Sequence, residues 1–403
     1  MSIKKYIFLY FSLIIIAVFI GLANAFFLHS LQFVTSLRIQ YHCLIYLLPL
    51  MGAFIAWMYQ KFGTKELGGN NLLIDTVHQP QNAILRIRIT PLVYLGTIFT
   101  HLVGGSAGRE GTALQMGGGI VRFVKKWFLS WTLPIDDLVI IAMSASFGAV
   151  FGTPFAGIIF GMECAKSFKK QLIIPIVFTS FLAHWTTDLC AIHHTNYPVT
   201  HHFEWSFLSV ISLIFASILF GVAALLFTIL NIQIGTYWKR YFKNPIIAAA
   251  VGGLVLLIVF QLFGFEEFQG LGVPYIQQAF FANAPNQAFL LKLLLTTFTL
   301  SVGFKGGEVT PLFFVGATLG SALATYLPIS NDVLAAIGFV AVFGAATNTP
   351  ISSIIMGIEL FGPTLGLPLG LGCVMAYFVS GNNSIYKRQL AYWNKYAFLR
   401  KSN

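Results

Sequence analysis

Residues Gly104 to Gly119 read GGSAGREGTALQMGGG, and this stretch decides the fold because a related one follows it later in the chain. The second copy, GGEVTPLFFVG, runs from Gly306 to Gly316. At an offset of 198 positions, Glu110 of the first copy matches Glu308 of the second. A carboxylate beside glycines therefore occurs twice at matched positions, which indicates a repeated unit.

A second pair of matched segments supports this duplication. The seventeen residues from Phe147 to Glu163 share nine identities with Phe343 to Glu359, at an offset of 196 positions. A duplicated half-chain is the simplest explanation. We therefore predict one transmembrane domain over residues 1–403, with repeat one at about 1–200, repeat two at about 204–403 and no soluble regulatory domain.

The composition is that of a polytopic membrane protein. Hydrophobic residues make up 57% of the chain, charged residues only 9%, and the mean hydropathy is +0.79. Soluble domains carry roughly 25% charged residues. The clearest runs that are long enough for a hydrocarbon layer about 30 Å thick are Tyr6–Leu28, Cys43–Tyr59, Phe207–Leu230 and Ile246–Phe263.

The N-terminus has some features of a signal peptide, because Lys4 and Lys5 precede an apolar run that ends near Ala23-Asn24-Ala25. The apolar run continues to Leu28, however, and further apolar runs follow. We therefore interpret it as the first transmembrane helix, which stays in the protein and contacts lipid.

The net charge of +11 has two possible meanings, a nucleic-acid partner or cytoplasmic loops. The basic residues lie in short clusters between apolar runs, as the positive-inside rule predicts for cytoplasmic loops. The main clusters are Lys4-Lys5, Arg86 with Arg88, Lys125-Lys126, Lys166 with Lys169-Lys170, Lys239-Arg240 and the tail from Lys387 to Lys401. We predict a plasma-membrane protein with both termini in the cytoplasm and no nucleic-acid partner.

Cysteine and histidine spacing predicts neither a metal site nor a cofactor. The four cysteines are far apart and lack the pair spacing of a metal or redox site. The segment from His193-His194 to His201-His202, flanked by Asp188 and Glu204, has the residue types of a metal site. Its paired, polar pattern favours a solvated surface loop instead.

Polar, glycine-rich breaks interrupt the apolar runs at four places: before Leu72, at Gly108–Thr112, at Gly306–Thr310 and before Tyr386. Non-helical backbone at membrane depth is tolerated only where protein or a watery cavity surrounds it. A helix that begins at such a break has free N–H groups and a positive dipole end, which bind anions. Converging broken helices are typical of transporter substrate sites.

Glu110 is the leading candidate for a functional carboxylate, since ionisable groups at membrane depth are costly. As a carboxylate it would occupy the anion-binding helix end, and on protonation it would release that end, so one group would couple a proton to an anion. The alternative is a glutamate that satisfies only its own helix backbone. Glu308 is a candidate for proton transfer or for holding Thr310, whereas Glu163 and Glu359 are predicted to be structural caps or helix-dipole partners.

The loops after the two motifs differ in charge. Arg122, Lys125 and Lys126 follow the first motif, while the second is followed by Pro328–Asp332, which contains no basic residue. This difference predicts that the two repeats have opposite orientations in the membrane.

The motifs resemble those of the CLC chloride channels and proton-coupled chloride transporters, whose signatures are GSGIP, G(K/R)EGP and GxFxP. GREGT at Gly108–Thr112 matches the second signature closely. Gly307–Pro311 matches the third except that Val309 replaces phenylalanine, and Gly69–Leu73 stands in the place of the first. Tyr386 stands in the place of a tyrosine near the last helix. The resemblance implies an all-α fold of two inverted repeats with many tilted and broken helices.

Departures from the signatures resemble the CLC subgroup that exports fluoride in exchange for protons. They are Thr112 in place of proline, GGEVTPLF in the third signature and Asn70 in place of serine. The resemblance implies a homodimer with one pathway per subunit and fluoride resistance for the cell. Where proton-coupled chloride transporters have a relay glutamate, this chain has Cys164, so the proton enters by another route or coupling is lost.

By this resemblance Glu110 is the gating glutamate, and Glu308 and Thr310 belong to the transport pathway. The remaining predicted anion-site positions are Asn70, Gly108, Arg109, Gly111, Val309 and Tyr386. An amide NH₂ at position 70 offers two donors to a strongly hydrated anion where a hydroxyl offers one. The plainer interpretation is that Asn70 and Asn71 only form a turn.

Three functions compete. The first is fluoride/proton antiport, and the second is chloride/proton antiport or a chloride channel, which Ser at position 70 and Phe at position 309 would have favoured. The third is an intramembrane enzyme that uses Glu110 and Glu308 as paired carboxylates. No HExxH or GxSxG motif accompanies them, so we predict a transporter and not an enzyme.

Overall fold

The computed structural model describes residues 3–82, 85–128 and 133–389. The predicted basic tail from Lys387 onward therefore lies mostly outside the described residues. The first eight helices are α1 (Ile3–Gln40), α2 (Leu48–Phe62), α3 (Asn70–His78), α4 (Ile89–Leu102), α5 (Glu110–Phe128), α6 (Ile135–Phe151), α7 (Pro154–Cys164) and α8 (Ile173–Leu189). The next eight are α9 (Phe207–Tyr241), α10 (Pro245–Phe263), α11 (Val273–Phe281), α12 (Ala288–Ser301), α13 (Val309–Leu323), α14 (Asn331–Thr347), α15 (Pro350–Phe361) and α16 (Gly366–Val379).

The second set of eight helices repeats the first. The matched pair α3 and α11 have 9 residues each, α4 and α12 have 14 each, and α6 and α14 have 17 each. In both sets a long helix comes first, with 38 residues in α1 and 35 in α9. The duplication inferred from two short motifs therefore extends through the helix order of the described chain, and the predicted all-α architecture is confirmed.

Within the described residues, five helical stretches are long and apolar enough to cross a membrane: Ile7–Gln40, His42–Phe62, Lys170–Leu189, Phe207–Tyr241 and Pro245–Phe263. At about 1.5 Å per residue, α1 and α9 are much longer than the hydrocarbon layer. Each continues about ten residues beyond its predicted apolar run because tertiary contacts hold the extra turns. Arg38 Nη1 donates to Gln269 Oε1 at 2.6 Å, and Trp238 Nε1 donates to the Ala248 carbonyl at 3.1 Å.

The interior of the protein is built on α6 and α14, which are buried along almost their whole length. Glycines allow the neighbouring helix α13 to approach α14 closely. A Cβ atom on Gly316 would lie 2.0 Å from the Gly338 carbonyl oxygen, and one on Gly320 would lie 2.2 Å from that of Leu334. Small residues that bring backbones together are a common basis of helix packing in membranes, and here they fix the position of α13.

Two glutamates join the repeats by capping each other's helices. Glu163 at the end of α7 accepts hydrogen bonds from the backbone N–H groups of Ile351 and Ser352 at 3.0 and 2.8 Å. Glu359 at the end of α15 accepts from Phe155 and Ala156 at 3.0 and 2.7 Å. The prediction that both glutamates are structural caps is confirmed, and each one caps the helix of the opposite repeat.

The segment 190–206, between the repeats, contains the histidines that were predicted to form a solvated loop. His193, His201 and His202 are exposed, as expected. His201 Nδ1 lies 3.0 Å from Asp332 Oδ2, and this carboxylate also accepts from the backbone N–H of Thr200 at 2.7 Å. His194 differs, because its side chain is only 20% exposed and packs against the protein.

Candidate ion site at two helix N-termini

The two glycine motifs lie against each other. Gly108 N donates to the Gly307 carbonyl at 2.6 Å, and Gly307 N donates to the Gly108 carbonyl at 2.8 Å, which forms an isolated antiparallel β-bridge. The two motifs therefore run antiparallel to each other here, and Gly108 pairs with the residue next to Gly306, its counterpart at the offset of 198 positions. The N-termini of α5 and α13 consequently meet inside the protein.

Only glycine fits at this crossing. A Cβ atom on Gly307 would lie 2.8 Å from Gly111 N and 3.0 Å from Glu110 N. One on Gly108 would lie 2.8 Å from the Gly307 carbonyl oxygen and 2.9 Å from Glu110 Oε2. These spacings are shorter than real Cβ contacts allow, so the glycines of both motifs are required by the close approach of the two backbones.

The Glu110 side chain is fully buried and binds the N-terminus of the opposite repeat's helix. Its Oε2 atom accepts from the backbone N–H of Thr310 at 3.0 Å and from that of Arg109 at 3.1 Å. The Thr310 hydroxyl donates to Oε1. Because two of these three donors lie 200 residues away in α13, Glu110 does not merely satisfy its own helix backbone.

Asn70, Gly111 and Glu308 come together on another side of the crossing. A Cβ atom on Gly111 would lie 2.8 Å from Asn70 Nδ2 and 3.6 Å from Glu308 Oε2. Asn70 is the first residue of α3, and its Oδ1 atom is buried with no hydrogen-bond partner among the described residues. The side chain of Asn70 is thus directed at the helix N-termini and does not only form a turn.

Tyr386 is buried, with 2% of its surface exposed, and its hydroxyl has no hydrogen-bond partner in the described part of the chain. The backbone around it is held in place, because Tyr386 N donates to Ser384 Oγ at 3.1 Å and Ile385 N donates to the Ala346 carbonyl at 3.0 Å. The predicted site residues that direct contacts bring together at the crossing are Asn70, Gly108, Glu110, Gly111, Glu308 and Thr310.

A small cavity of about 20 Å³ lies beside the Glu110 carboxylate, which is room for about one water-sized species. Its polar lining comes from Arg109, Glu110, Thr310, Thr195 and Tyr197. Arg109 Nε is 3.5 Å from Glu110 Oε1. Val309, by contrast, is fully buried at the start of α13, where its side chain offers packing but no polar group.

Comparison with known proteins identifies the family. Residues 51–381, most of the chain, match the model of the family described as Voltage gated chloride channel. The chain belongs to this family, the CLC family. A relative of Pseudomonas syringae pv. tomato, named chloride/fluoride channel protein, is 37% identical over 93% of this chain and 84% of the relative. The H(+)/Cl(-) exchange transporter ClcA of Citrobacter koseri is 25% identical over 86% of this chain and 77% of the relative.

Two solved structures share the CLC fold. A CLC-type fluoride/proton antiporter superposes with a TM-score of 0.90 and 32% identity, covering 96% of this chain and 99% of that chain. A slow cyanobacterial Cl⁻/H⁺ antiporter superposes with a TM-score of 0.84 over 100% of both chains, and at 19% identity it shows the fold alone. The predicted CLC fold of two inverted repeats in a membrane is therefore confirmed.

Several residues beside the CLC motifs were not predicted. Thr112, noted only as a departure from the signature, shares a 2.7 Å hydrogen bond with Thr97 of α4. His101 Nε2 lies 3.3 Å from the Gly108 carbonyl. Phe313 and Phe339 stack at 4.0 Å and line the cavity beside Glu110. No local motif distinguishes Thr97, His101 or Phe339 from ordinary helix residues, so the sequence carried no signal for them.

Cys164, the predicted departure at the proton-relay position, is buried, and its carbonyl accepts from Gln389 Nε2 at 3.2 Å. The metal-ligand side chains that do come together in the described residues are His184, Asp188 and His194. They belong to α8 and the segment after it. The described residues at the helix N-termini near Glu110 form no group of three or more metal ligands.

Proposed function

We propose that this protein is a fluoride/proton antiporter that exports fluoride in exchange for inward-moving protons. The observation that carries the proposal is the binding of the Glu110 carboxylate by Thr310 at the N-terminus of α13. A carboxylate held by these donors stands where a transported anion would bind. Further support comes from the 32% identical fluoride/proton antiporter structure and the 37% identical chloride/fluoride channel protein.

Coupling follows from competition for these donors. Both Glu110 and a small anion need the N–H groups at the helix N-termini, and the positive end of the helix dipole favours either negative charge. Protonation of Glu110 removes its charge, which weakens its hold on the donors and lets an anion take them. Deprotonation reverses the exchange. One anion therefore moves only when a proton binds or leaves Glu110.

Fluoride selectivity is assigned to Asn70 and Tyr386. Fluoride is small and strongly hydrated, so a site must supply donors that replace its water. The Tyr386 hydroxyl is a buried donor without a partner in the described residues, and the Asn70 amide NH₂ faces Gly111 at the crossing. The backbone around the proposed site comes from Gly108, Gly111 and Val309, and Arg109 supplies a positive charge beside it.

The internal proton route does not use residue 164 in this proposal. Cys164 is buried, and a thiol away from water is a poor proton carrier. Glu308, whose carboxylate lies near Gly111 and Asn70, is the proposed alternative, since it is the other carboxylate at the crossing. It would exchange protons with Glu110 on one side and with the cytoplasm on the other.

The test is ion exchange in proteoliposomes that contain the purified protein. Fluoride efflux and chloride efflux would be compared under an imposed proton gradient, with internal pH recorded. We expect fluoride efflux to drive protons inward and chloride to move far more slowly. In Glu110→Gln, fluoride movement should no longer drive protons, because the amide cannot exchange a proton in this pH range.

The matched control is Glu359→Gln, since Glu359 also accepts two backbone N–H groups but caps α7 and does not line the site. It should retain proton coupling. Chloride that moves as fast as fluoride would overturn the fluoride assignment and favour chloride/proton exchange, the activity named for the 25% identical relative. Fluoride flux indifferent to the proton gradient would indicate a channel.

We further propose a plasma-membrane location with both termini in the cytoplasm and a homodimer with one pathway in each subunit. The support is the CLC membership of the chain and the basic clusters between its apolar runs. Cross-linking of the protein in native membranes, followed by mass measurement, would separate a dimer from a monomer.

A further inference from the structure

Three metal-ligand side chains meet at the C-terminal end of α8. His184 and Asp188 stand one helical turn apart, so they share a face of the helix. His194 comes from the segment that connects the two repeats, and it folds back onto them. The ligand atoms of the three residues all lie within 4.8 Å of one another.

Two separations in this group, each to a different oxygen of Asp188, are close to those around a zinc ion. His184 Nε2 is 3.2 Å from Asp188 Oδ2, and His194 Nε2 is 3.4 Å from Asp188 Oδ1. With bonds of about 2.0–2.1 Å, ligand atoms around a tetrahedral Zn²⁺ are about 3.3 Å apart. Two imidazoles and one carboxylate, with an open fourth position for water, are also a common zinc ligand set.

A purely hydrogen-bonded explanation of the group fits less well. The His194 Nε2 atom is buried, its contact with Asp188 Oδ1 is 3.4 Å, long for a hydrogen bond, and no hydrogen bond of good geometry joins it to another described residue. A buried polar atom without a partner costs free energy. A metal ion bound between the three side chains would supply the missing partner.

The imidazole of His194 is held in position by the backbone beneath it. A Cβ atom on Gly152 would lie 2.6 Å from His194 Cδ2 and 2.7 Å from Cγ, so the ring occupies the space that any other residue would fill. Gly152 also has φ +75°, which favours glycine. His29 Nε2, 2.9 Å from the Cys190 carbonyl, fixes the chain just before the ligand. These contacts preorganise the group.

We propose that His184, Asp188 and His194 bind a zinc-class divalent metal ion that fastens the inter-repeat segment to α8. Thr195 and Tyr197, just after the ligand His194, line the cavity beside Glu110. Metal binding would therefore rigidify one wall of the approach to the ion site. The binding claim itself does not depend on which anion the protein transports.

The test is titration of the purified, full-length, tag-free protein with Zn²⁺ against a chromophoric chelator. We expect one tightly bound ion per chain. His194→Ala, His184→Ala and Asp188→Asn should each lower the affinity by at least the 10–100-fold that loss of a supporting partner costs. Co²⁺ in place of Zn²⁺ should give the intense visible absorption of a four-coordinate site.

Two further variants test whether Zn²⁺ binding depends on the proposed ligands themselves. His193→Ala removes an exposed neighbouring histidine and should leave Zn²⁺ affinity unchanged. His194→Cys replaces one zinc ligand by another and should restore binding that His194→Ala loses, which a role in packing alone does not predict. The proposal is overturned if the unaltered chain binds no Zn²⁺, or if binding survives His194→Ala and Asp188→Asn alike.

Discussion

At the scale of single residues, the position of Glu110 depends on Thr310. The hydroxyl and the backbone N–H of Thr310 reach the two oxygens of the same carboxylate. A hydrogen bond to a charged group contributes about 1.5–3 kcal/mol. Loss of the hydroxyl alone would therefore loosen Glu110 without removing the helix N-terminus to which it binds.

Thr310→Val should consequently weaken proton coupling. With one donor gone, fluoride displaces the carboxylate more easily, so the number of protons moved per fluoride is expected to fall several-fold in the proteoliposome assay. Thr318→Val is the matched control, because Thr318 is equally buried on α13 but donates to its own helix at the Phe314 carbonyl. Equal coupling in the two variants would contradict this role of Thr310.

Two adjacent asparagines allow a similar comparison. Asn70 Nδ2 faces Gly111 at the crossing of the motifs, whereas Asn71 Oδ1 accepts from the Arg388 backbone N–H at 2.9 Å. Asn70→Ser supplies one donor in place of two. We expect the ratio of fluoride to chloride flux to fall about tenfold or more, as a loss of about 1.4 kcal/mol implies, while Asn71→Ser leaves it unchanged.

At the scale of elements, α7 and α15 are connected through their ends. Each carries a glutamate at its C-terminal end that binds the free N–H groups at the start of the other. Four backbone donors are thus satisfied by two side chains, so both helices begin with these N–H groups paired.

Loss of either cap should destabilise the fold. Glu163→Ala and Glu359→Ala are each expected to lower the free energy of unfolding by about 1–2 kcal/mol. The two effects should not simply add, because the capped residues Ala156 and Ser352 are hydrogen-bonded to each other. Thermal unfolding in detergent measures this. Glu204→Ala, at an exposed position between the repeats, should leave the free energy of unfolding almost unchanged. A loss of stability there as large as in the cap variants would contradict a specific stabilising role of the caps.

At the scale of the whole molecule, the long first helix allows a test of the proposed orientation. The 38 residues of α1 span about 57 Å at 1.5 Å per residue, which is long enough to cross the hydrocarbon layer. Cys43 follows α1 directly and is exposed, so we expect it on the side opposite to the N-terminus. The proposed cytoplasmic N-terminus therefore places Cys43 outside.

Labelling checks this topology. A membrane-impermeant maleimide should modify Cys43 in intact cells that produce a Cys190→Ser variant, in which the other partly accessible cysteine is removed. Addition of Cys43→Ser should abolish the labelling. Modification that occurs only after the cells are permeabilised would reverse the proposed orientation.

The sequence by itself determined the membrane-protein class and the duplication, and it predicted where along the chain the proposed ion site lies. Low charge and long apolar runs predict membrane helices because solvation of each residue by lipid depends on its own side chain. The glycine-rich breaks at Gly108–Thr112 and Gly306–Thr310 predicted helix N-termini because irregular backbone at membrane depth is tolerated only where protein or water surrounds it. Matched motifs at Glu110 and Glu308 revealed two repeats because duplication leaves identities at a constant offset.

Only the tertiary structure decided which groups meet. Thr310 binds Glu110 across 200 positions, Glu163 and Glu359 cap each other's helices, and His194 folds back to His184 and Asp188. The predicted solvated loop was wrong for His194 for the same reason. Such contacts depend on how helices from both repeats pack in three dimensions, and that packing is set by many side chains at once, so no local pattern in the sequence records it.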